Sequence, residues 1–256
     1  MSKQKAQNNK RLCILFLLFA ICIGMFVCRR FIRRCVIAGI QMAKGKSTVG
    51  QRIEQYGQGV KDRLSDSLEH IGIHWPPKKM VLIGLKDEKL LEVWVSQNGD
   101  TYHFLKSYPI LKASGKLGPK LKEGDCQVPE GLYKIESLNP NSRFHLSLRI
   151  NYPNTFDRKM AAREGRTDLG GDIMIHGSRV SIGCLAMGDP AAEDLFILAA
   201  ETGIDDVSVI LSPLDFRVRN FEGDLSQMPN WVPNLYEQIK AELRKYTQVN
   251  MTDLRD

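Results

Sequence analysis

From Met80 onward the apolar residues fall into short runs at the period of strands, and this commits most of the chain to a sheet. Met80–Leu85 and Leu90–Val95 read as strands, Asn98-Gly99 as a hairpin turn, and Tyr102–Leu105 as the returning strand of a meander. Phe144, Leu146, Leu148 and Ile150 alternate with Arg143, His145, Ser147 and Arg149, which predicts a strand with one apolar face in the core and one face toward water or a cleft. Between these runs, glycines and prolines at 115, 118, 119, 124, 129 and 131 predict a loop over 113–131, with Lys116, Lys120 and Lys122 solvated.

Helices flank the strands. Val49, Ile53, Tyr56, Val60, Leu64, Leu68 and Ile71 recur at three or four, one stripe of a helix that docks on something apolar and ends at Trp75-Pro-Pro77. Asp189 as N-cap with Pro190 behind it starts a second helix, stopped by Gly203, and Val207–Leu211 follows as a strand. A last helix runs after Pro233 with Leu235, Ile239, Leu243 and Tyr246 on its packing side. Tyr152–Gly171 has no clear period and reads as a polar loop. The fold class is mainly β, of the α+β kind.

Charge separates the chain in two. Residues 1–50 hold ten Lys or Arg and no acidic residue, leaving 26 basic against 29 acidic residues in the rest. The domain itself is therefore slightly acidic, which argues against a nucleic-acid partner. Leu12–Cys28 is uncharged and almost wholly apolar, roughly 25 Å as a helix, and no A-x-A cleavage site follows it. We expect an uncleaved transmembrane signal anchor there, with basic residues balanced on its two sides so that its orientation stays open. Four of six cysteines lie in or beside this span, and Cys126 and Cys184 are expected as two free thiols rather than a bridge.

The stretch from Asp172 to Asp189 carries the chemistry. Ile173 and Ile175 lead to His176, the chain turns at Gly177-Ser178, and Val180 and Ile182 return it to Gly183-Cys184. A thiol needs a base to become a nucleophile, His176 is the nearest in sequence, and the Gly183 and Cys184 amides are candidate oxyanion donors. On these residues alone, a small buried cysteine beside a satisfied strand-end histidine reads equally well. His145 is a rival base and His103 a weaker one. No paired-histidine spacing points to a metal, and no cofactor is implied.

This segment resembles the active-site motif of the L,D-transpeptidase (YkuD-domain) family, and more narrowly its YafK-like murein branch, close to His-Gly-x-x-x-Ser-Ile-Gly-Cys-x-Ala-Met. Gly118-Pro-Lys120, Glu123-Gly-Asp125, Pro129–Tyr133, Phe144–Ser147 and Tyr152-Pro-Asn154 extend the likeness over about 77–211. The resemblance implies a β-sandwich-like catalytic domain with flanking helices, with Cys184 as nucleophile and His176 as general base. It further implies that Gly177, or its neighbour Ser178, orients the imidazole through a backbone carbonyl, that Gly183 belongs to the oxyanion hole, and that Ser181, Ser178, His145 and Tyr152 contact substrate.

By the same resemblance the substrate is the peptide stem of peptidoglycan and the intermediate a thioester. The enzyme would be single-pass in a bacterial inner membrane, with its domain in the periplasm. Ile182 stands where the better-known pattern has a second His, and the His-to-Cys gap is shorter. Both departures match the YafK-like branch, which includes an enzyme releasing a lipoprotein from peptidoglycan by hydrolysis. Hydrolysis, with an outer-membrane lipoprotein as partner, is therefore an alternative to transfer, and a non-catalytic wall-binding protein a second one. The expected organisation is a basic segment 1–11, an anchor 12–28, a juxtamembrane linker and helix 29–76, a catalytic domain 77–212 and a helical extension 213–256.

Overall fold

The computed structural model describes residues 45–247. The expected anchor at 12–28 lies outside the described residues, among which no helix is long and apolar enough to cross a membrane. By its contacts the chain divides after Lys46 into two units, the second of which begins at Ser47.

This second unit is a sheet-dominated α+β fold. Its nine described strands are β1 (Lys79–Leu85), β2 (Leu90–Ser96), β3 (His103–Pro109), β4 (Lys112–Ala113), β5 (Gly131–Ser142), β6 (His145–Ile150), β7 (Met174–His176), β8 (Leu185–Ala186) and β9 (Val207–Ser212). They form one sheet in the order β3-β2-β1-β9-β5-β6-β7-β8-β4. The first three strands are the expected antiparallel meander, and Asn98 holds its turn by accepting the Asp100 and Thr101 amides. The last strand, β9, then lies parallel to β1 and antiparallel to β5.

The expected sandwich is thus one continuous sheet that curls. Strand β5 bends it, pairing with β9 through Gly131–Lys134 and with β6 beyond Ile135, where the register shifts. Its far end comes back over its near end: Leu185 of β8 stands 3.4 Å from where a Cβ on Gly84 of β1 would sit.

Among the described residues four α-helices cover the sheet: α1 (Val49–His70), α2 (Thr155–Arg163), α3 (Asp189–Thr202) and α4 (Val232–Leu243). Helix α1 starts in a capping box, with Thr48 accepting the Gln51 amide and the Gln51 side chain accepting the Thr48 amide. Strand β1 is buried on both faces. Met80 and Leu82 join Val60, Leu64 and Leu68 of α1 and Leu195, Phe196 and Ile197 of α3 in one core, while Val81, Ile83 and Leu85 join Leu235, Ile239 and Leu243 of α4 in another. The segments 29–76 and 213–256, set apart from the catalytic domain in the sequence reading, therefore supply a helix to each of its two cores.

Two local expectations are corrected. Tyr152–Gly171 contains α2, begun by a reciprocal Asn154–Asp157 capping box. Helix α3 is preceded by Gly188, and Asp189 lies in its first turn with no capping bond of its own. The Asp189 carboxylate instead accepts the Ser178 amide at 2.7 Å.

Candidate active site

Strands β7 and β8 run parallel, pairing Ile175 with Leu185 and His176 with Ala186. Continued by one residue, this register sets Cys184 opposite Met174. Residues two apart on a strand share a face, so Cys184 and His176 stand on the same face, diagonal to each other. Antiparallel pairing of β6 with β7 adds Ser147 beside His176 and Arg149 beside Met174. The polar side of the 144–150 alternation is therefore the side that meets the motif from Ser147 onward.

His176 is buried, and its Nδ1 lies 2.6 Å from the carbonyl oxygen of Gly177. A carbonyl only accepts, so Nδ1 carries the proton and Nε2 keeps a free lone pair. Phe144 stacks on the imidazole with centroids 4.7 Å apart and planes at 29°. It was expected in the core, yet the residue is 39% exposed and its ring forms the outer cover of the histidine. Gly177 is required by close approach rather than by its backbone angles. A Cβ there would lie 2.6 Å from Asp189 Oδ1 and 2.8 Å from the Phe144 carbonyl oxygen.

Cys184 is half-buried and, like Cys126, a free thiol. Its Sγ lies 3.6 Å from the Asp172 carbonyl oxygen, and among the described residues no hydrogen bond joins it to His176. Burial raises the thiol above its ordinary pKa, against a hydrogen bond from the Met174 amide that favours the thiolate. Burial likewise lowers the imidazole, against its bond to Gly177. The resting pair is a neutral thiol and a neutral imidazole.

Gly183, at φ 96°, turns the chain into the nucleophile, as a left-handed position that suits glycine. The amides expected as open oxyanion donors are both occupied. Gly183 N donates to Ser114 Oγ, and Cys184 N donates to Ser181 Oγ at 3.0 Å.

Three of the residues expected to contact substrate have partners within the chain. Ser181 Oγ also donates to the Cys184 carbonyl at 2.5 Å, so the hydroxyl folds the turn before the nucleophile. Tyr152 is buried, its hydroxyl bonded to the carbonyls of Leu169 and Lys120, and it ties two loops together. His145 Nε2 lies 3.0 Å from Glu193 Oε1, and its ring meets that of Tyr56 in a T-shaped contact. Ser178, by contrast, lines a cavity of about 740 Å³ with Arg179, Lys106, Leu111 and Met187.

The 113–131 loop is folded, and only part of it is solvated. Lys120 is buried on Asp125 at 2.6 Å, and Asp125 also accepts the Leu121, Lys122 and Gln127 amides. Lys86 reaches in from the end of β1 to donate to Gly118 O, Val128 O and Glu130 Oε1. Glu130 accepts the Tyr236 hydroxyl of α4 on its other oxygen. Every donor of the buried ammonium is paired, the condition under which a buried ion pair is tolerated. The loop so held passes directly behind the nucleophile: a Cβ on Gly183 would lie 3.6 Å from the Gln127 carbonyl oxygen.

The sequence reading missed Ser114, Phe144 as a cover, and Arg149, which pairs with Asp172 at 3.0 Å and Glu136 at 2.9 Å. The alternation that placed Arg149 on the polar face was the one available signal.

The model of one family, YkuD, the L,D-transpeptidase catalytic domain, matches residues 78–209, about half of the chain. The chain belongs to the YkuD L,D-transpeptidase family. YafK of Escherichia coli (strain K12) is 35% identical over 158 residues, 60% of this chain and 61% of that one. YafK of Escherichia coli O157:H7 aligns with the same figures. The chain thus spans about three fifths of the length of the curated relatives it matches. Among solved structures, this YkuD protein aligns with the helical cell shape determining protein Pgp2 from Campylobacter jejuni at 24% identity and TM-score 0.44, over 59% of this chain and 55% of that one. It aligns with Bd1075 of Bdellovibrio bacteriovorus at 20% identity and TM-score 0.40, over 66% and 56%.

Proposed function

We propose that the chain is a cysteine acyltransferase of the peptidoglycan peptide stem, working through a thioester on Cys184. The observation that carries this reading is the imidazole of His176, fixed on Gly177 O with Nε2 free, on the same sheet face as Cys184 in a YkuD-family chain. His176 Nε2 takes the thiol proton as sulfur attacks the carbonyl carbon on the L-centre side of an L,D bond. The carbonyl π electrons move to oxygen, then return as the C–N bond breaks, and His176 passes the proton to the leaving amine. The thioester is resolved by a second amine, which makes a new cross-link, or by water, which makes the enzyme a hydrolase. Ser178 and Arg179, which line the cavity of about 740 Å³, contact the stem.

The apolar run of 12–28 with its basic flanks supports a single-pass inner-membrane anchor, and the family's substrate, peptidoglycan, is the reason to set the domain in the periplasm. A lipoprotein joined to the stem is one amine that such an enzyme exchanges or releases.

The test incubates the full-length chain in detergent with peptidoglycan fragments and an amine acceptor, beside Cys184→Ala, with products read by mass spectrometry. Exchanged or cross-linked stems that vanish in Cys184→Ala establish the transferase. Shortened stems without exchange establish the hydrolase. Products unchanged in Cys184→Ala overturn the thioester reading.

A further inference from the structure

Strand β4 is two residues long and lies at the end of the sheet beside β8, pairing Lys112 with Ala186 and Ala113 with Leu185. Antiparallel register carried one residue further sets Ser114 opposite Cys184, on the same face. Directly opposed residues hold their Cβ atoms about 4.5–5.5 Å apart. The nucleophile is therefore flanked on one side by β7, which brings His176, and on the other by Ser114.

Ser114 is half-buried, and its Oγ accepts the Gly183 amide, which pins the hydroxyl oxygen beside the turn into Cys184. A hydroxyl that accepts one bond still has its own proton to donate, and among the described residues that proton goes to no group. Ser181, the other hydroxyl at the turn, already donates to the Cys184 carbonyl. Ser114 also borders a cavity of about 540 Å³ rimmed by Lys89, Lys112 and Lys116, so a substrate can reach it from solvent.

Resting on the thioester reading above, we propose that Ser114 is a catalytic residue that donates its O–H to the carbonyl oxygen of the substrate as Cys184 attacks. As the C–S bond forms, the π electrons settle on that oxygen. The Ser114 hydroxyl, backed by the Gly183 N–H, meets the new charge from the β4 side. The hydroxyl oxygen relays the amide dipole while keeping the amide bonded, which explains how an occupied Gly183 N–H still serves the oxyanion. The three lysines at the rim, against Asp87 as the one acidic residue of the lining, suit a substrate that carries a carboxylate, the chemical class of a peptide with a free carboxyl terminus or acidic side chain.

The experiment compares the full-length chain with Ser114→Ala and Ser114→Thr, measuring turnover of a peptidoglycan stem peptide and, separately, the alkylation rate of Cys184 by iodoacetamide. Alkylation forms no oxyanion, so it reports only the thiol and its base. The expected result is a kcat about 10²-fold lower in Ser114→Ala, with KM and alkylation rate little changed and activity largely regained in Ser114→Thr. A turnover that is unchanged or faster in Ser114→Ala overturns the proposal, because the hydroxyl would then merely cap an amide that works better when freed. Equal losses of turnover and alkylation overturn it too, making Ser114 a structural support for the thiol. Should the unmodified chain show no Cys184-dependent turnover, the thioester reading itself falls, and the role of Ser114 falls with it.

Discussion

At the scale of single residues, the two central groups of the site are both held away from their charged forms by burial. His176 has its pKa pushed down and Cys184 has its pushed up, so at neutral pH they rest as imidazole and thiol. The sign matters for kinetics: a resting thiolate–imidazolium pair would alkylate fast at pH 7, whereas this pair must move a proton during attack. Iodoacetamide labelling of Cys184 followed against pH is expected to rise with a midpoint above 9.0, the ordinary thiol value. A midpoint below 7 would mean that the proton already sits on His176. Phe144 contributes to this state, because its ring covers a face of the imidazole that water would otherwise solvate.

At the scale of elements, what could be read from the sequence was whatever repeats locally. The stripe of α1, the meander of β1–β3 and its Asn98-Gly99 turn, and the alternation of β6 each declare themselves within a dozen residues. Helix α2 did not, because it is short and polar and buries only Met160 and Ala161, so its signal lay in the Asn154-x-x-Asp157 box and not in periodicity. His176 and Cys184 were legible as a motif. Ser114 was not, because the two-residue pairing of β4 with β8 joins positions some seventy apart and leaves no pattern in either.

Asp157 offers a test of α2. Burial raises its carboxyl from 3.8 to about 6, despite the Asn154 amide and the Tyr133 hydroxyl that favour the ionised form. Between those pH values the folded chain holds more protons than the unfolded one, so this residue's contribution to stability falls as pH rises through the window. Urea midpoints measured from pH 4 to 6 are expected to show that slope and to lose it in Asp157→Asn. The same slope in both proteins would put the cause elsewhere.

At the scale of the whole molecule, the helix that precedes the family-matched region is as much a part of the core as the sheet. Leu64 is fully buried between α1 and the strands. Leu64→Ala is expected to destabilise the fold by about 2–5 kcal/mol, read from the shift in denaturation midpoint at unchanged slope. A change under about 0.5 kcal/mol would mean that α1 is only loosely applied. At the opposite face α4 does comparable work, and its Tyr236 closes the Lys86–Glu130 pair that keeps the 113–131 loop behind Cys184.

The position of β9 has a consequence in time. It is the last described strand of the chain and yet lies near the middle of the sheet, between β1 and β5. Until residues 207–212 arrive, no strand joins the meander within the sheet to the strands that carry His176 and Cys184, and contacts so distant in sequence form late. A chain emerging from its N-terminus would therefore expose Cys184 before the sheet is continuous, and the two ends of that sheet would be joined only after residues 207–212 had followed it.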